Sequence, residues 1–115
     1  MSSYYKECFV EQIYHFDALD DKVWKKLVPS TEVYLSLDKT DSKFRDNIMV
    51  KFKIIVDDKS IEGILGVINK DDSKSMLPFL EAGRDDVFSV KICSKIDKET
   101  EDRQIRIVVY IVSKG

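Results

Sequence analysis

Between Ile61 and Ile92 the chain passes from an apolar strand through a turn and a short helix into a second strand. Ile61-Glu62-Gly63-Ile64-Leu65-Gly66-Val67-Ile68 is followed by the polar stretch Asn69 to Ser73, and then by Met76-Leu77-Pro78-Phe79-Leu80-Glu81-Ala82-Gly83. Val87-Phe88-Ser89-Val90-Lys91-Ile92 resumes the two-residue alternation of a half-buried strand. Ser73 or Asp72 is expected to cap the intervening helix, and Gly83 to end it in a left-handed C′ conformation. Pro78 has no N–H to donate, so regular helix hydrogen bonding is expected only in the second half. A short helix crossing between two strands in a chain this small fits a β-barrel or strongly bent sheet.

The rest of the chain agrees. Lys6 to Phe16 reads as a first strand with Cys8, Val10 and Gln12 on one face and Phe9, Glu11 and Ile13 on the other. A helix from Asp21 to Leu27 sets Val23, Trp24 and Leu27 on one side, and Pro29 stops it. Glu32 to Leu37 and Ile48 to Val56 alternate, predicting inward Val33, Leu35, Leu37 and inward Ile48, Val50, Phe52, Ile54. Asp38 to Asp46 is a polar loop interrupted by Phe44, and Asp57 to Ser60 is a turn. A charged hairpin over Asp97 to Asp102 joins the strands Phe88–Ile96 and Arg103–Val112. Five to six strands with two short helices predict a mainly-β, SH3/OB-like barrel, as a single domain over residues 1–115.

Composition limits the chemistry. The 115 residues hold one domain and, at 43% apolar, can build a core. No apolar run approaches the roughly 20 residues that span a bilayer. Met1 to Lys6 lacks the layout of a signal peptide, so the chain is expected to be cytoplasmic, with no membrane partner. Cys8, Cys93 and the single His15 fall one ligand short of a tetrahedral zinc site without a carboxylate, so no metal and no cofactor is expected. No phosphate-cradling glycine loop, nucleophile elbow, His-Glu-x-x-His or Cys-x-x-Cys motif occurs. Cys8 and His15 would lie roughly 23 Å apart along one straight strand, too far for a dyad. The expectation is a protein that is not an enzyme. With 19 basic and 21 acidic residues interspersed, a generic duplex binder is disfavoured, leaving room for a local basic groove.

The strand end Leu65-Gly66-Val67-Ile68-Asn69-Lys70, with the helix end Phe79-Leu80-Glu81-Ala82-Gly83, resembles the C-terminal half of the HIRAN domain. In that family a Leu-Gly-Tyr-Ile-Pro-Arg-like strand end precedes a helix closing on Leu-Leu-x-x-Gly. HIRAN domains are small β-barrels of DNA-repair ATPases and of free-standing bacterial proteins, and they grip the 3′ end of single-stranded DNA. The resemblance extends over roughly Phe9 to Val112. It implies a non-catalytic module for single-stranded DNA or DNA ends, linked to DNA repair or processing.

The family's Arg-Tyr-Tyr-like segment corresponds to Tyr14-His15-Phe16, which keeps ring character at His15 and Phe16 and lacks the guanidinium. Its Asn-Pro-Tyr-Asp-like segment corresponds to Lys43-Phe44-Arg45-Asp46, where Arg45 separates the ring from the acid. Lys70 stands at the basic position and Val67 drops the Tyr. The resemblance thus assigns binding to His15, Phe16, Lys43, Phe44, Arg45, Asp46 and Lys70. Rings stack on unpaired bases, cations meet phosphates, and a carboxylate can accept from a terminal 3′ hydroxyl.

Each of these residues has a plainer role open to it. Phe16 closes a barrel end, His15 is a half-exposed strand residue, Phe44 is a plug, Asp46 is a turn residue, and the lysines, with Lys51 and Lys53, are a solvated face. The alternative function is a protein-interaction or assembly module that has lost DNA binding. It could act as a homodimer paired along an open edge at Arg103 to Val112, or beside a helicase or nuclease partner.

Overall fold

The structure, a computed structural model, describes residues 2–11, 21–37, 48–96 and 104–112. Six strands form a closed antiparallel barrel: β1 (Ser2–Glu11), β2 (Glu32–Leu37), β3 (Ile48–Val56), β4 (Lys59–Ile68), β5 (Phe88–Ile96) and β6 (Gln104–Val112). Around the barrel the order is β1-β4-β3-β2-β5-β6, with β6 returning to β1. Closure comes from three one-residue irregularities, at Tyr5 in β1, Leu65 in β4 and Cys93 in β5. An extra residue on one strand sharpens its twist and bend, and such bends let a six-stranded sheet close on itself.

Closure overturns one expectation. The strand ending at Val112 has no open edge, because β6 is paired with β1 on one side and β5 on the other. The thin seams lie elsewhere. Among the described residues β1 meets β4 through Val10↔Ile68 and Glu11↔Val67 alone, and β2 meets β5 through Glu32↔Lys91 and Val33↔Val90 alone. Beyond the first seam the chain after β4 runs along β1. There Lys6 Nζ donates to the Asp72 carbonyl at 3.1 Å, and Tyr5 and Ser75 hydroxyls are hydrogen-bonded. Beyond the second, Ser30 N–H donates to the Ile92 carbonyl at 2.8 Å, and Ile92 N–H to the Thr31 carbonyl at 2.9 Å.

The inward alternation of β2 and β3 is as the sequence predicts: Val33, Leu35, Ile48, Val50, Phe52 and Ile54 are buried, and Leu37 packs against them partly buried. The first strand begins earlier than expected, at Ser2. Its expected continuation through Gln12, Ile13 and Phe16 lies outside the described residues, as do the whole of the 38–47 loop and the hairpin between β5 and β6. Asp57 and Asp58 both have positive φ, 51° and 65°, with Val56 paired to Lys59, which is the requirement of a two-residue type I′ hairpin. β4 therefore starts at Lys59, two residues before the expected Ile61.

Among the described residues there are three short helices, where two were expected. α1 (Asp21–Lys26) plugs the barrel with Val23, Trp24 and the following Leu27, all buried. Lys95 from β5 holds it there: the ammonium lies 4.3 Å from the Trp24 ring centroid and donates to the Trp24 carbonyl. The second expected helix is formed in its second half as α3 (Leu77–Glu81), and α2 (Lys70–Ser73) is a separate turn ahead of it. Pro78 is the reason, since it belongs in a first helical turn and α3 starts one residue before it. The observed cap, Asn69, lies ahead of both expected candidates, Asp72 and Ser73. Asn69 Oδ1 accepts from Asp72 N–H at 2.8 Å, while its Nδ2 donates to the Asp72 carboxylate at 3.0 Å.

Gly83 ends α3 as expected, with φ +73°. Arg84 N–H reaches the Phe79 carbonyl at 2.7 Å and Gly83 N–H the Leu80 carbonyl at 3.1 Å, the two bonds of a Schellman motif. A 3₁₀ turn, Asp85–Val87, leads into β5.

Candidate nucleic-acid interface

The strand register decides which parts of the chain can meet a ligand together. Glu11 on β1 is paired with Val67 on β4, Val67 with Met49 on β3, and Met49 with Ser36 on β2. One row across four strands thus spans roughly 14 Å at ordinary interstrand spacing. The segment carrying His15 and Phe16 departs from Glu11 at one end of this row. The segment carrying Lys43, Phe44, Arg45 and Asp46 bridges Leu37 and Ile48, which are paired beside its other end. α2 opens at Lys70, two residues after Ile68, whose partner is Val10. His15, Phe16, Lys43, Phe44, Arg45 and Asp46 themselves lie outside the described residues, and only the backbone of Lys70 is described.

The centre of this row is apolar. Met49 and Val67 are buried there with Ile64 against them, a cluster separate from the barrel core. Close packing at the row also explains Gly66. A β-carbon there would sit 2.5 Å from the Glu11 carbonyl oxygen and 2.6 Å from Val10 Cγ1. β4 can approach β1 only because the side chain is missing.

The next row along the same face is Tyr34–Lys51–Ile64, and after it comes the pair Lys53↔Glu62. Together with Gly63 these residues line an open groove of about 680 Å³ on the outside of β2, β3 and β4. Tyr34 is 52% exposed, and Lys53 is engaged by Glu62 at 3.6 Å. No ion pair reaches Lys51 among the described residues. Lys51 and Lys53 share a face, as their spacing requires. Tyr34 and Ile64 escaped the sequence reading, because only the cross-strand register brings them beside Lys51. The outward position of Tyr34 in an alternating strand was the one available signal.

The thiols are poorly suited to chemistry. Burial, reinforced by the nearby Asp72 carboxylate, pushes the Cys8 thiol up to about 11. Burial and then Glu7 raise Cys93, whose Sγ donates to the Arg106 carbonyl at 3.3 Å. Both are free and hold their protons at neutral pH, so neither offers the thiolate that a nucleophile requires. Arg106 is likewise committed, stacked 4.6 Å from the Phe9 ring centroid and 3.5 Å from Glu7.

No helix is long and apolar enough to cross a membrane among the described residues. No protein-family model matches the chain, and no curated protein or solved structure is significantly similar to it.

Proposed function

We propose that this chain is a small non-catalytic module that binds single-stranded DNA, or a DNA 3′ end, at one rim of its barrel. The observation that supports the reading is the convergence of Glu11, Leu37, Ile48 and the start of α2 at that rim. Three segments far apart in sequence are thereby tethered within reach of one short strand of nucleic acid. Their side chains are of the types such a ligand needs: His15, Phe16 and Phe44 as stacking faces, Lys43, Arg45 and Lys70 as phosphate partners, and Asp46 as acceptor for a terminal hydroxyl. A duplex interior presents neither an unpaired base face nor that hydroxyl. In a cell such a module would serve DNA repair or processing beside a helicase or nuclease.

The test is fluorescence anisotropy with a short single strand. The Phe44→Ala variant is expected to weaken binding roughly tenfold, as loss of one stacked base does. Asp46→Ala is expected to abolish any preference for a free 3′ hydroxyl over a 3′ phosphate. Wild-type affinity in both variants would contradict the assignment.

A second reading, a protein-interaction module, draws on one observation. Tyr4, Ile111 and Phe79 are exposed, and Tyr4 meets Tyr110 edge-on with centroids 6.5 Å apart. Such apolar surface suits a partner protein or a second copy of the chain. A concentration-dependent sedimentation coefficient, lost in Tyr4→Ser, would favour it.

A further inference from the structure

The groove on the outside of β2, β3 and β4 lies one row from the rim and is not accounted for by the rim residues. Its two distinguishing side chains are an aromatic ring that the core does not need and an ammonium with no carboxylate partner among the described residues. Tyr34 stands outward on β2 with half its surface exposed, directly across from Lys51 on β3. Cross-strand neighbours of this kind hold their β-carbons roughly 5 Å apart, so ring and ammonium serve one ligand. Ile64 continues the row on β4 and joins it to the apolar Met49–Val67 cluster at the rim. In the neighbouring row Glu62 engages Lys53 at 3.6 Å. Positive charge in the groove is therefore concentrated at Lys51, beside the ring.

We propose that this groove is a second contact for single-stranded DNA, stacking one base on Tyr34 and pairing one backbone phosphate with Lys51. The assignment rests on the reading of the rim as a DNA site and extends it. A strand held at the rim continues across the outer face of the barrel by one further row. A ring and a cation side by side are the minimal requirement for binding an unpaired nucleotide without regard to base identity. A folded protein partner would find a narrow, half-polar depression there rather than a broad apolar patch.

The experiment compares two labelled DNA strands of about four and about twelve nucleotides, lengths bracketing what one small barrel covers. The longer strand is expected to bind wild type more tightly. Tyr34→Ala is expected to weaken it roughly tenfold and leave the shorter strand unaffected, while Tyr34→Phe retains wild-type affinity, because the ring face does the work. Lys51→Gln is expected to reduce the salt dependence of binding by about 0.7 in log–log slope, one phosphate's share for a single strand. Both positions of change are solvent-exposed, and far-UV circular dichroism confirms folding of each variant. If wild type binds both strands and Tyr34→Ala changes neither, the groove assignment is overturned and the rim reading stands. If Tyr34→Phe loses as much as Tyr34→Ala, stacking is refuted. If wild type binds neither strand, both readings fall together.

Discussion

Gly66 shows how much one absent side chain determines. Its missing β-carbon is the space into which Glu11 and Val10 pack, and among the described residues β1 pairs with β4 only beside it. Gly66→Ala is expected to cost about 1–3 kcal/mol, since backbone on the facing strand has nowhere to go. Gly83→Ala makes an instructive contrast. No atom lies within 4 Å of an added β-carbon there, so the cost reduces to left-handed backbone strain of about 1 kcal/mol. Urea denaturation of the two variants checks both, and the reverse order would contradict the packing account.

Cys8 carries the clearest pH signature. Its thiol titrates near 9 when unfolded and at about 11 in the fold. Above pH 9 the unfolded chain therefore releases a proton that the folded chain retains. The stabilisation is complete below pH 9 and is lost as pH rises toward 11, with a limiting slope of about 1.4 kcal/mol per pH unit. Cys8→Val keeps the volume and removes the proton. The difference in stability between wild type and variant should change across that window and remain flat below it. A flat difference throughout would show that the thiol is not desolvated as described.

At the scale of elements, the seating of α1 is the most exposed to test. A six-residue helix has little stability of its own, and its place depends on the burial of Val23, Trp24 and Leu27 and on Lys95. Lys95→Met preserves the alkyl stem while removing the cation over the ring and the donor to the Trp24 carbonyl. A loss of about 1–2 kcal/mol is expected. Trp24 is the only tryptophan, so its emission reports the seat directly. An unchanged emission maximum with unchanged stability would assign the anchoring to apolar packing alone.

Elements also show where a sequence can and cannot be read. The faces of β2 and β3 were legible because strand periodicity is local, and every second residue from Val33 and from Ile48 repeats the pattern. Gly83 was legible because a left-handed helix end has few other solutions. Asn69 was passed over in favour of Asp72 and Ser73 because all three are good caps in isolation. The choice is made by where β4 stops. The split of α2 from α3 was half visible in Pro78, whose restart of the helix depends on Met76 being drawn into the core.

The whole molecule depends on pairings that no local pattern reveals. Whether β6 is an edge or an interior strand is decided by β1, about a hundred positions away, and the alternation of Ile105, Ile107 and Val109 is the same in either case. The barrel class was legible from strand count and length; the order of strands and the juxtaposition of Tyr34 with Lys51 were not. The candidate rim residues were legible only as residue types. What the fold adds is that Glu11, Leu37, Ile48 and α2, from which the segments carrying those types depart, share one end of one closed sheet.

The central claim, that this surface takes single-stranded DNA ends, is tested most directly by an equilibrium anisotropy titration of the wild-type chain. The probes are one single strand with its 3′ hydroxyl free and the same strand with a 3′ phosphate, each at two salt concentrations. The account predicts tighter binding of the free end at both salts, with overall affinity falling as salt rises because lysine and arginine meet phosphates. Absence of binding to either strand at the lower salt would contradict it and leave the barrel as a scaffold for a protein partner.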